Sequence, residues 1–258
     1  MSDFHRGNAY VSPPLAAPDI PEHKLAKNQL PTKQNQDLYL AATTGDQGGL
    51  KSALAAGGSP NWWNPDEGAT AIHGAAIGGH AECIKLLLQN GAVIEERLLT
   101  NRNSPLHLAC TNGHVEAAKV LINASAAVNT GNCYGNAPTH SALIGGHRAV
   151  VELLLESGAE ANWTNNKGSS LLHFLGYSPM TDIEKKAVAR KLLEVGVNID
   201  TKDENGMTVL HVVGQNGDKE LATFLFENGA DHTLKDNNGK TPLQWAQLNS
   251  HTEVGALL

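Results

Sequence analysis

Five histidines, His73, His107, His140, His173 and His211, recur along the chain at a step of about 33 residues, the last step being longer than the others. A period of that size marks internal repetition, and repetition overrides what length alone would say about domains. A unit so small cannot bury its apolar face by itself. It buries that face on its neighbours, so the array forms one elongated body. The same pattern surrounds each histidine. Between Gly135 and Asn162 it reads as a turn glycine, a short helix opened by Ala-Pro-Thr-His, a Gly-His break, a leucine-rich second helix and a Gly-Ala-x-x-Asn exit. The step from histidine to exit glycine is identical for His73 to Gly91, His140 to Gly158 and His211 to Gly229. Degenerate units flank these five: Tyr39 stands one period before His73, and Gln244 stands one period after His211. The count is about seven units, from about Asn35 to Leu258.

These motifs resemble the ankyrin repeat. The resemblance implies an all-α ankyrin-repeat solenoid of stacked helix-turn-helix units with β-hairpin fingers. It also implies a non-enzymatic protein-binding scaffold: a subunit or adaptor of a larger assembly or, alternatively, a transient inhibitor or assembly chaperone. Two surfaces carry binding in such proteins, the finger tips and the groove along the ends of the first helices. Matching finger positions here include Asp66, Glu67, Asn101, Arg102, Tyr134 and Lys167. Matching groove positions include Ile77, Thr111, Asn112 and Ile144. Large aromatics add hot-spot candidates, because Trp and Tyr dominate interface energies: Trp62, Trp63, Tyr134 and Trp163. Adjacent Trp62 and Trp63 point to opposite sides of an extended loop, so one packs on the first unit and the other faces solvent.

Residues 1–34 differ from the array at 35–258. Pro13, Pro14, Pro18, Pro21 and Pro31 interrupt any helical period, which reads as an extended arm, disordered or ordered by a partner. Within the array, the third unit has Arg102 and Ser125 where glycines are expected. Because a non-glycine residue disfavours positive φ, the preceding hairpin is expected to take a different path. The fifth unit is longer than its neighbours over the stretch from His173 to Gly196, by five positions. Thr181-x-x-Glu184 is a capping box, so the second helix is expected to start there and the insertion to lie between the helices. The insertion's apolar Tyr177 and Met180 join the partner-facing candidates.

No chemistry beyond binding is legible. There is no Gly-x-Ser-x-Gly elbow, phosphate-binding glycine loop or His-Glu-x-x-His. His80, His114 and His147 fall one per unit and cannot share a metal, and Cys83, Cys110 and Cys133 lack metal-ligand spacing. No cofactor, metal or enzymatic activity is expected. A net charge of −7 argues against nucleic acid and for a protein partner with a modest basic surface. With no apolar run of membrane-spanning length and no signal-peptide pattern at the start, a cytoplasmic location is expected.

Overall fold

The computed structural model describes residues 31–258. The expected arm lies outside them except for residues 31–34, in which Thr32 caps the first helix through its hydroxyl. Fourteen helices, among the described residues, follow one another in pairs. The first members are α1 (Lys33–Thr44), α3 (Ala71–Ile77), α5 (Pro105–Thr111), α7 (Pro138–Gly145), α9 (Leu171–Tyr177), α11 (Val209–Asn216) and α13 (Pro242–Leu248). The second members are α2 (Gln47–Ala55), α4 (Ala81–Gln89), α6 (Val115–Asn123), α8 (Arg148–Glu156), α10 (Asp182–Glu194), α12 (Lys219–Glu227) and α14 (Thr252–Gly255). First helices pack on first helices and second on second, giving two layers with one continuous core between them. Ile84, Leu87, Leu121, Leu143, Leu154 and Leu175 are fully buried there.

The recurring tetrad explains both the starts of the first helices and their stacking. Thr70, Ser104, Ser170 and Thr208 occupy N-caps, with the tetrad histidine closing a capping box at the third helical position. Each histidine ring then crosses to the next pair. His73 Nδ1 accepts from the Thr70 N–H at 3.1 Å, and Nε2 donates to the Glu96 carbonyl at 3.0 Å. His107, His140, His173 and His211 repeat this toward Asn136, Ser169, Met207 and Lys240. One ring thus satisfies a helix end and a loop carbonyl of the next pair, which makes the array cooperative.

The break histidines make a second ladder on the far side of the first helices. His80, His114, His147 and His251 place Nε2 about 3 Å from the carbonyls of Thr43, Ile77, Thr111 and Gln215, each in the preceding pair. Their rings lie over the preceding turn glycines. A Cβ on Gly113, whose φ is +75°, would sit 2.5 Å from His147 Nδ1, so the site excludes a side chain twice over.

Two expectations need correction. Arg102 and Ser125 do adopt positive φ, 59° and 70°. The third hairpin closes like the second, from Leu98 to Asn103, one residue longer than the later ones, and Arg102 is held in it by its neighbours: its N–H donates to the Leu98 carbonyl and its carbonyl accepts from Arg97. In the fifth pair most of the insertion is helix. α10 has 13 residues against nine in α8 and α12, and starts on the Thr181–Glu184 box as the sequence indicated. Asp182 and Glu184 favour the N-terminal end of the helix dipole, so the added residues extend the helix by about one turn.

Candidate interaction groove

Fingers project between successive pairs. Among the described residues they contain no extended strand, only the isolated antiparallel bridges of Asn64 with Ala69 and Thr164 with Ser170. An Asn or Asp builds each later turn. Asn132 Oδ1 accepts from the N–H groups of Tyr134 and Asn136, and Asn165, Asp203 and Asp236 do the same in their own turns. Short acceptors of this kind favour such turns because they bond backbone groups two residues on. The tips are tied in series: Cys133 N–H to the Asn101 carbonyl, Asn166 to Tyr134, Glu204 to Lys167 and Asn237 to Asn205. Side chains tie them again, Asn132 Nδ2 to Asn103 Oδ1 at 2.9 Å and Asn165 Nδ2 to Asn136 Oδ1 at 3.0 Å.

The groove lies between these fingers and the first helices. From α3 onward its floor carries one residue per pair, at the C-terminal turn of each first helix: Ile77, Thr111, Ile144, Tyr177, Gln215 and Leu248. Ile77, Ile144, Tyr177 and Leu248 are exposed; Ile144 and Tyr177 stand on adjacent pairs, at the roughly 8–10 Å spacing of packed helices, while Thr111 and Gln215 interrupt the apolar row on either side. Tyr177 is fixed by a 3.2 Å hydrogen bond from its hydroxyl to Gln215 Oε1. At the centre is a cavity of about 250 Å³ bounded by three fingers and by α5, α7 and α9. It gathers five of the sequence candidates, Asn101, Thr111, Tyr134, Ile144 and Lys167.

The remaining candidates divide between surface and core. Asp66, Glu67, Arg102 and Asn112 lie at the surface, and Trp63 is half-buried with its ring 6.0 Å from that of His73. Trp163 is half-buried as well: its Nε1 donates to the Gly135 carbonyl at 2.8 Å, packing the ring on the preceding finger. Two candidates are withdrawn as direct contacts. Trp62 is 4% exposed and meets Tyr39 edge to face, because of the two neighbours it is the one that turns toward the first pair. Met180 is 6% exposed and belongs to the core. Sequence reading missed Asn103, Asn136 and Ser141, whose cavity positions appear only when three units are stacked.

Burial pushes His107 and His140 down to about 4, so both rings are neutral near pH 7. Burial likewise raises the Cys110 thiol, and all three cysteines are free. Among the described residues no group of three or more His, Cys, Asp or Glu is placed to hold a metal ion. Nor is any described helix long and apolar enough to cross a membrane.

The family model for ankyrin repeats matches residues 38–130, 92–165 and 181–258. The chain belongs to the ankyrin-repeat family. The human ASB11 ankyrin repeat domain superposes with a TM-score of 0.75 at 26% identity, covering 85% of this chain and 96% of that one. A Caenorhabditis elegans transient receptor potential cation channel subfamily A member 1 homolog is 28% identical over 220 residues, 84% of this chain and 17% of the relative. Palmitoyltransferase akr1 of Neurospora crassa is 31% identical over 100 residues, 37% of this chain and 14% of that enzyme. The chain therefore spans under a fifth of these two relatives' lengths. Ankyrin repeats are in general protein-protein interaction modules, and the fold is typically non-catalytic.

Proposed function

We propose that this ankyrin-repeat chain is a non-enzymatic cytoplasmic adaptor or assembly subunit that holds a protein partner along the groove and finger tips. The observation that carries this reading is the row of exposed apolar side chains Ile77, Ile144, Tyr177 and Leu248 on the groove floor. Each sits on a helix held in the stack by side chain to carbonyl bonds between pairs, so the row is presented rigidly and little ordering cost falls on binding. Aromatic Tyr134, Trp63 and Trp163 at the fingers supply hot-spot area beside it. The net charge of −7 favours a partner with a modest basic surface and disfavours nucleic acid. Three free cysteines agree with a reducing compartment.

The test is co-purification of partners with the full chain, compared with the variant Ile77→Arg/Ile144→Arg. A partner set retained at fixed stoichiometry and lost in the variant, with an unchanged unfolding midpoint, is the expected result. Equal retention by both proteins would overturn the reading.

A further inference from the structure

The central cavity has more hydrogen-bond donors than the protein uses. Asn136 and Ser141 line it at 7% and 3% exposure, and Asn103 joins them at half-burial. In the finger ladder, Asn103 and Asn136 each use Oδ1 to accept from the next finger's asparagine. Neither Nδ2 group has an acceptor among the described residues, and neither does the Ser141 hydroxyl. These donors open onto the cavity rather than being sealed in the protein, where Trp62 Nε1 is the one fully buried side-chain donor left unpaired among the described residues, so they are free to meet a ligand or water. No carboxylate lines the cavity, while Lys167 stands at its rim and shares its ammonium with Glu204 at 3.5 Å. Ile144 and Phe174 form the apolar part of the wall.

We propose that this cavity is a specificity pocket for an acidic side chain, Asp or Glu, carried on an extended segment of the protein partner. The inference rests on the groove reading above and adds what the groove selects. A carboxylate has about four acceptor sites and no donor, which complements two amide N–H groups and a hydroxyl. Lys167 at the rim adds charge, and the apolar wall takes the stem or a neighbouring residue. An amide side chain offers one acceptor oxygen and brings two donors of its own, and a lysine would leave the cavity donors unpaired. The net acidity of the chain governs its long-range field, whereas no carboxylate lines this cavity and its one lining charge, Lys167, is a cation.

A synthetic decapeptide library, with one position fixed in turn as each amino acid, is the probe, offered to the immobilised full chain. Pools fixed as Asp or Glu are expected to be retained about tenfold over pools fixed as Lys, a charge-assisted hydrogen bond's worth of discrimination. Asn103→Asp keeps the acceptor for Asn132 and replaces the donor by a charge, and Lys167→Glu reverses the rim. Both should abolish the acidic preference and raise retention of Lys pools, with unfolding midpoints unchanged. Ile77→Arg, on the groove floor away from the cavity, separates the two levels of the idea. If wild type retains pools that are lost in Ile77→Arg but show no acidic preference, the groove reading stands and the pocket falls. An acidic preference that survives both Asn103→Asp and Lys167→Glu, or no retained pool at all, also overturns the pocket.

Discussion

Ser178 donates from its hydroxyl to the carbonyl oxygen of Leu143 at 2.7 Å, filling in the fifth pair the place that a break histidine fills in its neighbours. Pro179 lies where the histidine ring would be: a Cβ on Gly146 would come 2.8 Å from its Cγ. The next pair continues the ladder with Asn216 Nδ2 bonded to the Gly176 carbonyl. Three chemistries, imidazole, hydroxyl and amide, thus meet one requirement, capping the carbonyls at the end of the preceding first helix. Ser178→Ala leaves that buried carbonyl with only the Gly146 N–H at 3.2 Å. An expected loss of about 0.5–1.5 kcal/mol, the net worth of one hydrogen bond, should appear as a lower denaturant midpoint at unchanged m-value. No change in the midpoint would show that water replaces the hydroxyl without cost.

Histidine burial makes stability depend on pH. The folded protein lowers His107 and His140 from 6.5 to about 4, chiefly by burial. Between these values the unfolded chain binds protons that the folded chain does not, so lowering the pH favours unfolding. The full stability is present above about pH 6.5 and is lost progressively toward pH 4, on the order of 3 kcal/mol for each ring. Urea midpoints at pH 7.5, 6 and 5 check this. A midpoint that is flat or rises on acidification contradicts it.

Arg102 and Ser125 hold glycine-like backbone angles at a cost. The left-handed conformation disfavours a Cβ by roughly 1–2 kcal/mol, partly offset by the extra freedom glycine gives the unfolded chain. Ser125→Gly, at an exposed site, should therefore raise the unfolding free energy by about 0.5–1 kcal/mol, measured by chemical denaturation. Arg102→Gly should act in the same direction. A decrease in both variants would mean that the side chains contribute more than the strain.

Lys185 on α10 meets Asp218, the N-cap of α12, at 2.7 Å, with both side chains about nine-tenths buried. Removing the cation alone strands a carboxylate in a poorly solvated place. Lys185→Ala should cost about 3–5 kcal/mol. Lys185→Met with Asp218→Asn, which removes both charges and keeps a capping oxygen, should recover much of that loss. A single variant as stable as wild type in thermal unfolding would show that the pair is spectator charge.

Core deletion sets the scale for these effects. Leu154 is fully buried between layers, and Leu154→Ala should lose about 2–5 kcal/mol across the whole array, because each pair is stabilised by its neighbours. Partner binding should weaken only as far as the fold does. Lost binding at an unchanged midpoint would place Leu154 in the interface instead.

Much of this architecture was readable along the chain. The spacing of His73, His107, His140, His173 and His211 located the tetrads, Thr181 and Glu184 marked the start of α10, and Pro138 with the glycines that follow it bounded the short helices. These signals are local, since capping, turn chemistry and apolar period act within a few residues, and so a single sequence carries them. What stacking decided was different in kind. Which of Trp62 and Trp63 turns inward, whether Met180 is a contact or core, and whether Arg102 keeps a glycine's angles all depend on surfaces supplied by other units. The cavity lined by Asn103, Asn136, Ser141 and Lys167 joins residues from successive repeats, and no unit contains it. A repeat sequence determines the shape of each pair and the rule for stacking, because those follow from short-range hydrogen bonding and apolar periodicity. The groove's chemistry exists only once pairs are packed roughly 8–10 Å apart, where burial and unpaired donors are set by neighbours about 33 residues away in the chain.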